Sequence, residues 1–162
     1  MHRRSSVLVS VVCLILGLGP ALLSGQARTW TDAATGLMWA GEDSSREQGR
    51  SWEEASKQPG LNWEQAAGYC GKSRLGGFPD WRLLTIDELK SIFDGSLKSE
   101  VDGYLVRGGI KLSGWTWSGS DGKNPGEKLK FSFFFAEDNK PVSVRADDAT
   151  YTRALCVRGP VK

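Results

Sequence analysis

Two features predict an α+β domain with a mainly antiparallel sheet: two helix starts with full capping signatures, and a C-terminal half of apolar segments broken by glycine and proline turns. The strongest signal runs from Gly76 to Leu89. The Thr85 hydroxyl is placed to accept from the amide of Glu88, and the Glu88 carboxylate from the amide of Thr85, the reciprocal arrangement that starts a helix. Ile86, Leu89, Ile92 and Phe93 then fall on one apolar stripe, and Gly95 is placed to end the helix in a left-handed conformation.

The other elements follow in chain order. Residues 28–40 read as two short strands around the turn Asp32-Ala33-Ala34-Thr35-Gly36, an N-terminal hairpin. From Gly41 to Gly60 the chain turns polar and charged, which predicts an exposed loop with a short helical turn around Trp52 to Ala55, closed by Pro59-Gly60. Asn62 and Gln65 form the second capping signature, and Trp63, Ala66, Ala67 and Cys70 share a core-facing phase. Ser51-Trp52-Glu53-Glu54-Ala55 echoes Asn62-Trp63-Glu64-Gln65-Ala66, but one short match does not make a repeat and reads as chance. Residues 95–114 read as an irregular loop. A strand starts at Trp115-Thr116-Trp117-Ser118, residues 121–126 form a turn, and Lys130 to Phe135 alternates toward one buried face. A hairpin through Glu137 to Lys140 leads to Val142-Ser143-Val144, and a last strand from Ala154 to Arg158 returns Cys156 to the helix that carries Cys70.

Arg3 and Arg4 precede an apolar run from Val7 to Leu23, and Gly25-Gln26-Ala27 puts small residues where a signal peptidase needs them, so residues 1–27 read as a signal peptide cleaved after Ala27. Ser10, Gly17, Gly19 and Pro20 make the run a poor membrane span, an uncleaved anchor being the alternative. Cys13, inside the run and preceded by Val12, makes a weak lipid-attachment site. Residues 28–162 are then a single domain, secreted or periplasmic, meeting the membrane only during export. Loss of Arg3, Arg4 and His2 leaves 19 basic and 19 acidic residues and no histidine. That balance argues against nucleic acid as a partner. Cys70 and Cys156, an even pair in an exported chain, read as a disulfide; the alternative, a reactive thiol pair, lacks a Cys-x-x-Cys spacing or a neighbouring histidine.

Several ordered motifs carry a resemblance. They are Thr35-Gly36-Leu37-Met38-Trp39; Asn62-Trp63 with Ala66 and Tyr69-Cys70; Leu75-Gly76-Gly77-Phe78 with Asp80-Trp81-Arg82-Leu83, Thr85 and Glu88-Leu89; Trp115 with Trp117-Ser118; and Leu155-Cys156-Val157-Arg158. Together they resemble the Legionella collagen-like protein C-terminal domain family over nearly all of residues 28–162. The resemblance implies a C-type-lectin-like fold, related to formylglycine-generating-enzyme domains, with Cys70 and Cys156 as its structural pair. It points toward adhesion and sulfated, polyanionic glycans. Two departures stand out: Leu84 occupies a place where the family commonly has proline, and the loop between Trp39 and Trp63 is longer than usual.

The chemistry left to residues 28–162 is narrow. Without histidine or a free cysteine there is no Ser-His-Asp triad, no Cys-His pair and no histidine-ligated zinc, and fold kinship does not transfer the formylglycine chemistry. No catalytic residue is therefore assigned. Glu53, Glu54, Glu64, Asp87, Glu88 and Asp94 offer carboxylates for glycoside hydrolysis, but capping and solvation account for most of them. No cofactor is expected, with calcium as the one candidate ion and nothing in the sequence to locate it. Calcium needs clustered oxygen ligands, and Phe78-Pro79-Asp80 and Lys123-Asn124-Pro125-Gly126 match only fragments of the tripeptides of calcium-dependent lectins, so no metal site is assigned. Trp115 and Trp117 alternate onto one strand face, where they either stack on a ligand or fill the core; Trp39, Trp63 and Trp81 read as structural. Arg82 and Arg158 read as internal ion-pair or carbonyl-binding residues. Lys111, Lys123, Lys128, Lys130 and Arg145 would form a basic patch if folded together, or a solvated surface interleaved with Asp121, Glu127, Glu137 and Asp138. The resulting expectation is a non-catalytic module that binds a glycan or a cell-surface protein, with Trp115, Trp117, Lys111, Lys123, Asn124, Lys128 and Arg145 as candidate ligand-binding residues. The alternative is an envelope assembly component acting by protein contact.

Overall fold

The computed structural model describes residues 29–47, 50–97, 104–124, 127–136 and 140–159. The expectations for residues 1–27, for Pro125-Gly126 and for Glu137 to Asn139 lie outside them. The N-terminal hairpin is present: β1 (Thr29–Thr31) pairs antiparallel with β2 (Met38–Ala40), setting Trp30 opposite Trp39. Asp32 organises its turn, its carboxylate accepting from the Ala34 amide at 3.0 Å and the Thr35 hydroxyl at 2.9 Å, and Gly36 takes a φ of 71°, open to glycine without strain.

Among the described residues eight strands form two sheets where the sequence suggested one. The first has the order β1-β2-β8-β3, all antiparallel, with β3 at Arg82–Leu83 and β8 at Cys156–Arg158. The second runs β6-β5-β4-β7, from β6 (Val142–Arg145) through β5 (Leu129–Phe133) and β4 (Trp115–Asp121) to β7 (Thr152–Arg153). Its pairs are antiparallel except β4 with β7, which is parallel. The sheets are joined at Leu84, which bridges to Ser118 and whose carbonyl accepts from the Gly119 amide at 2.6 Å and the Ser118 hydroxyl at 3.2 Å. The fully buried Leu84 side chain anchors this seam.

Among the described residues three α-helices follow the capping physics. α1 (Trp52–Ser56), α2 (Trp63–Lys72) and α3 (Ile86–Ile92) begin with the boxes Ser51/Glu54, Asn62/Gln65 and Thr85/Glu88, each bonded in both directions. The echo between residues 51–55 and 62–66 therefore has a physical basis: both stretches start a helix with tryptophan in its first position. α3 does not reach Gly95. It stops at Ile92 because Phe93 turns extended (φ −67°, ψ 136°), bridges Val106 and sets its ring edge-on to Phe133.

Trp39, Trp117, Leu84, Leu89, Ile92, Leu112, Phe133, Phe135, Leu155 and Val157 fill the core, and the disulfide Cys70–Cys156 pins α2 to β8. Residues 104–112 have little regular structure yet bury Tyr104, Val106, Ile110 and Leu112. The loop after β2 is also not exposed throughout, since Gly41, Asp43, Ser45 and Arg46 are buried. Asp43 is the reason: its carboxylate accepts from the amides of Ser45 (2.9 Å), Arg46 (3.0 Å) and Ser113 (2.6 Å) and from the Ser113 hydroxyl (2.8 Å). Arg82 and Arg158 are ion-pair residues as expected. Arg82 forks onto Glu88 with two contacts of 2.8 Å, while Arg158 pairs with Asp80 at 2.8 Å and lies 3.7 Å over the Phe78 ring.

Two predictions follow from these ties. Replacing both Cys70 and Cys156 by alanine frees a span of 86 residues and should cost about 4–5 kcal/mol by loop entropy, read as a lowered urea midpoint; an unchanged midpoint would refute it. Burial alone would raise the Glu88 carboxyl, but the Arg82 guanidinium and the Thr85 amide outweigh it and hold the group below its ordinary value of 4.5. A depressed carboxyl contributes stability above its unfolded value and loses it as pH falls through the folded one. Glu88→Gln should thus destabilise by about 1–3 kcal/mol at neutral pH, with the gap to wild type closing below pH 4.5 in urea titrations across pH.

Candidate functional site

The start of α2 and the ends of β5 and β6 come together through two backbone bonds. The Trp63 amide donates to the Ala146 carbonyl (2.9 Å), and the Ala146 amide donates to the Lys128 carbonyl (2.8 Å). The register of the β5–β6 pair sets Leu129 opposite Arg145. Between these segments opens a cleft of about 470 Å³ lined by Asn62, Glu64, Glu127, Lys128, Leu129, Arg145, Ala146 and Asp147. That volume falls within the roughly 300–1,000 Å³ of small-ligand pockets.

Each wall has a local cause. Asn62 spends its side-chain oxygen on the Gln65 amide (2.8 Å), which caps α2 and leaves its NH₂ as a donor at the rim. Leu129 and Ala146 supply the apolar floor. Arg145 is held by Asp147 through a two-pronged pair, Nε to Oδ1 at 2.9 Å and Nη2 to Oδ2 at 2.6 Å. That contact draws the Asp147 carboxyl below the ordinary carboxylate range and raises Arg145. Beside the cleft, Trp63 is fixed by its indole N–H to the Ser118 carbonyl (2.9 Å), and the Lys130 ammonium lies 4.1 Å over its ring and 2.5 Å from Asp121.

The candidate residues divide. Lys128 and Arg145 line the cleft. Lys123 and Asn124 are exposed on the β4–β5 turn, outside the lining, where the Lys123 amide donates to the Ser143 hydroxyl and the Asn124 carbonyl accepts from Glu127. Lys111 is on another part of the surface, paired with Glu42 at 3.7 Å. These cations therefore do not make one basic patch; acidic partners intersperse them. Trp117 is a correction: it is fully buried, its indole N–H donating to the Leu61 carbonyl at 2.6 Å, and it offers no face to a ligand. Trp115, on the same strand, is half-buried and stacked on Phe134 with centroids 5.0 Å apart.

The sequence reading missed Asn62, Leu129, Ala146 and Asp147 as cleft residues, and it took Glu64 and Glu127 for a stray carboxylate and a surface acid. Arg145 and Asp147, opposite charges two residues apart at a strand end, were the one local signal available. Among the described residues no group of three or more His, Cys, Asp or Glu side chains is arranged to hold a metal ion, and no helix is long and apolar enough to cross a membrane. Asp80 and Asn124, in the two calcium-like tripeptide fragments, are engaged with Arg158 and with a turn. Asp43 is the carboxyl that burial pushes up, but it lies in the interior with its donors, away from the cleft.

The family model described as the Lcl C-terminal domain matches residues 28–158. No curated protein and no solved structure matches the chain.

Proposed function

The chain belongs to the Lcl C-terminal domain family, and from that premise we propose that it is an exported, non-catalytic binding module with a lectin-like fold that recognises a glycan in the cleft between α2 and the β5–β6 pair. The observation that carries the reading is the lining itself. An amide donor, an ammonium, a guanidinium and three carboxylates surround a small apolar floor, and sugar hydroxyls both donate and accept. The disulfide is compatible with an extracytoplasmic location. The non-catalytic assignment draws on residues 28–162 having no histidine and on both of their cysteines being bonded together. Recognition is proposed without a metal.

The assembly alternative would rest on an exposed apolar patch around Trp115, but that ring is half-buried and stacked on Phe134. The cleft is therefore the better place to look. The test is an array of neutral and charged oligosaccharides, read at low and physiological salt, with and without calcium. Selective binding is expected to survive physiological salt. Asn62→Ser keeps the helix cap while removing the amide donor, and combined with Lys128→Ala it should weaken capture by about tenfold or more. Lys111→Ala with Lys123→Ala, outside the cleft, should leave capture unchanged. Absence of binding to every glycan would move the function to protein contact.

A further inference from the structure

We propose that β6 is a docking edge for a second copy of the chain, the two β6 strands pairing antiparallel about a two-fold axis at Ser143. β6 ends the order β6-β5-β4-β7, so no strand lies along its outer side. The other end of that sheet is closed, since the carbonyls of Thr150 and Thr152 accept from the amides of Gly60 and Leu61. β6 is also the longest edge strand among the described residues, and its register against β5 runs without a bulge. The ladder fixes which groups face outward. The Ala146 amide donates to the Lys128 carbonyl, which makes these two a hydrogen-bonded pair, and pairs of that type alternate along an antiparallel ladder. Val144 and Val142 therefore turn their N–H and C=O groups onto Lys130 and Ser132, while Ser143 and Arg145 turn theirs to the free side. The Pro141 carbonyl shares a planar trans peptide with the Val142 N–H, so it also faces outward.

This edge has two gaps, and together they single out a second copy. Pro141 has no N–H, and the Arg145 carbonyl is already taken by the Asp148 amide at 3.0 Å. An antiparallel pair centred on Ser143 sets that residue against the partner's Ser143, the two exchanging both bonds, and sets Arg145 opposite the partner's Pro141. The donor that proline lacks then faces the acceptor that Arg145 has spent, and the free Arg145 amide meets the free Pro141 carbonyl. A strand of ordinary sequence would instead bring an N–H toward the occupied Arg145 carbonyl and a C=O toward the proline ring. The side chains agree with this register. Val142, an exposed apolar residue, comes to face the partner's Val144 in the closer, non-hydrogen-bonded type of pair. The two-fold axis runs perpendicular to the sheet, so both clefts stay on one face, their Arg145 residues about 14 Å apart by ordinary strand spacings.

The test is sedimentation velocity of the purified protein from about 10 μM to about 1 mM, with residue-resolved amide exchange measured by NMR at both ends of that range. A short edge pair is weak, so the protein should be mainly monomer at the low end and mainly dimer at the high end. The amides of Ser143 and Arg145 should exchange at least about threefold more slowly in the concentrated sample, while those of Val142 and Val144, already in the ladder, should change little. Ser143→Pro removes the central donor without touching a bond to β5, and Val142→Lys puts charge into the valine contact. Each should weaken association by about tenfold or more. Leu97→Lys, the same kind of change at an exposed apolar residue off this edge, should leave association unaltered. Val142 and Leu97 are both exposed, so the lysine variants should melt with wild type and decide the matter even if Ser143→Pro misfolds. A protein that stays monomeric across the whole range overturns the inference. So does a dimer that survives Val142→Lys, or one in which the Ser143 and Arg145 amides exchange as they do in the monomer. None of these outcomes bears on the glycan reading of the cleft, which the oligosaccharide array decides separately.

Discussion

The strand that arrives last in the chain sits in the middle of the first sheet. β8 pairs with β2 on one side and β3 on the other, so the Arg82–Leu83 strand has no ladder, and the N-terminal hairpin pairs only with itself, until residues 156–158 are in place. Leu155 and Val157 are fully buried and Ala154 bonds to Ser44, so the same short segment also closes the core and anchors the loop after β2. Pairings this distant in sequence carry a loop-closure cost before they return any contact energy, and topologies built on them fold slowly. The disulfide bears on that constraint directly, because it joins β8 to the helix whose N-terminal end forms a wall of the cleft.

Around this strand the molecule places its charges in two different ways. In the interior, Asp43 is surrounded by three amides and a hydroxyl, and burial still pushes its carboxyl up. Burial draws the Arg153 guanidinium down, partly offset by the field of Asp43, and its Nη2 donates to the Gln58 carbonyl at 2.6 Å. Removing one member of such a set strands the others in a medium that solvates them poorly, so these contacts dictate how the residue 41–60 segment lies against the core. At the cleft the charges are exposed and paired across a turn, where rearrangement is cheap. The polar interior thus holds the frame rigid, while the cleft keeps groups that a ligand can recruit.

What the sequence made legible was local. The boxes at Asn62/Gln65 and Thr85/Glu88 need only residues three apart, and the Cys70–Cys156 pairing needs only the count of cysteines after the N-terminal apolar run. Trp117 marks where that reasoning stops: alternation puts Trp115 and Trp117 on one face of a strand, but which elements cover the face depends on Leu61, 56 residues away. The cleft is further out of reach, since its lining comes from a helix start near residue 62 and a strand pair near residues 128 and 146, joined by the Trp63 amide. β7, only two residues long, has no alternation to read and exists because Trp115 and Thr116 provide a partner. Gly95 was an adequate helix stop that tertiary packing of Phe93 made unnecessary.

The register of the first sheet has a bearing on protein engineering. Thr29 pairs with Ala40, while Arg158 pairs with Met38 on the opposite side of the same strand. The two ends of the sheet are therefore two strands and two residues apart, about 12 Å by ordinary strand spacings. A linker of a few glycines could join them, and the chain could be opened afresh in a loop outside the first sheet, with every pairing of that sheet kept. In such a circular permutant β8 and the β1–β2 hairpin would become neighbours in sequence, and the long-range closure around β2 and β8 would become a short one. The molecule would then keep its architecture while changing the order in which its parts can meet.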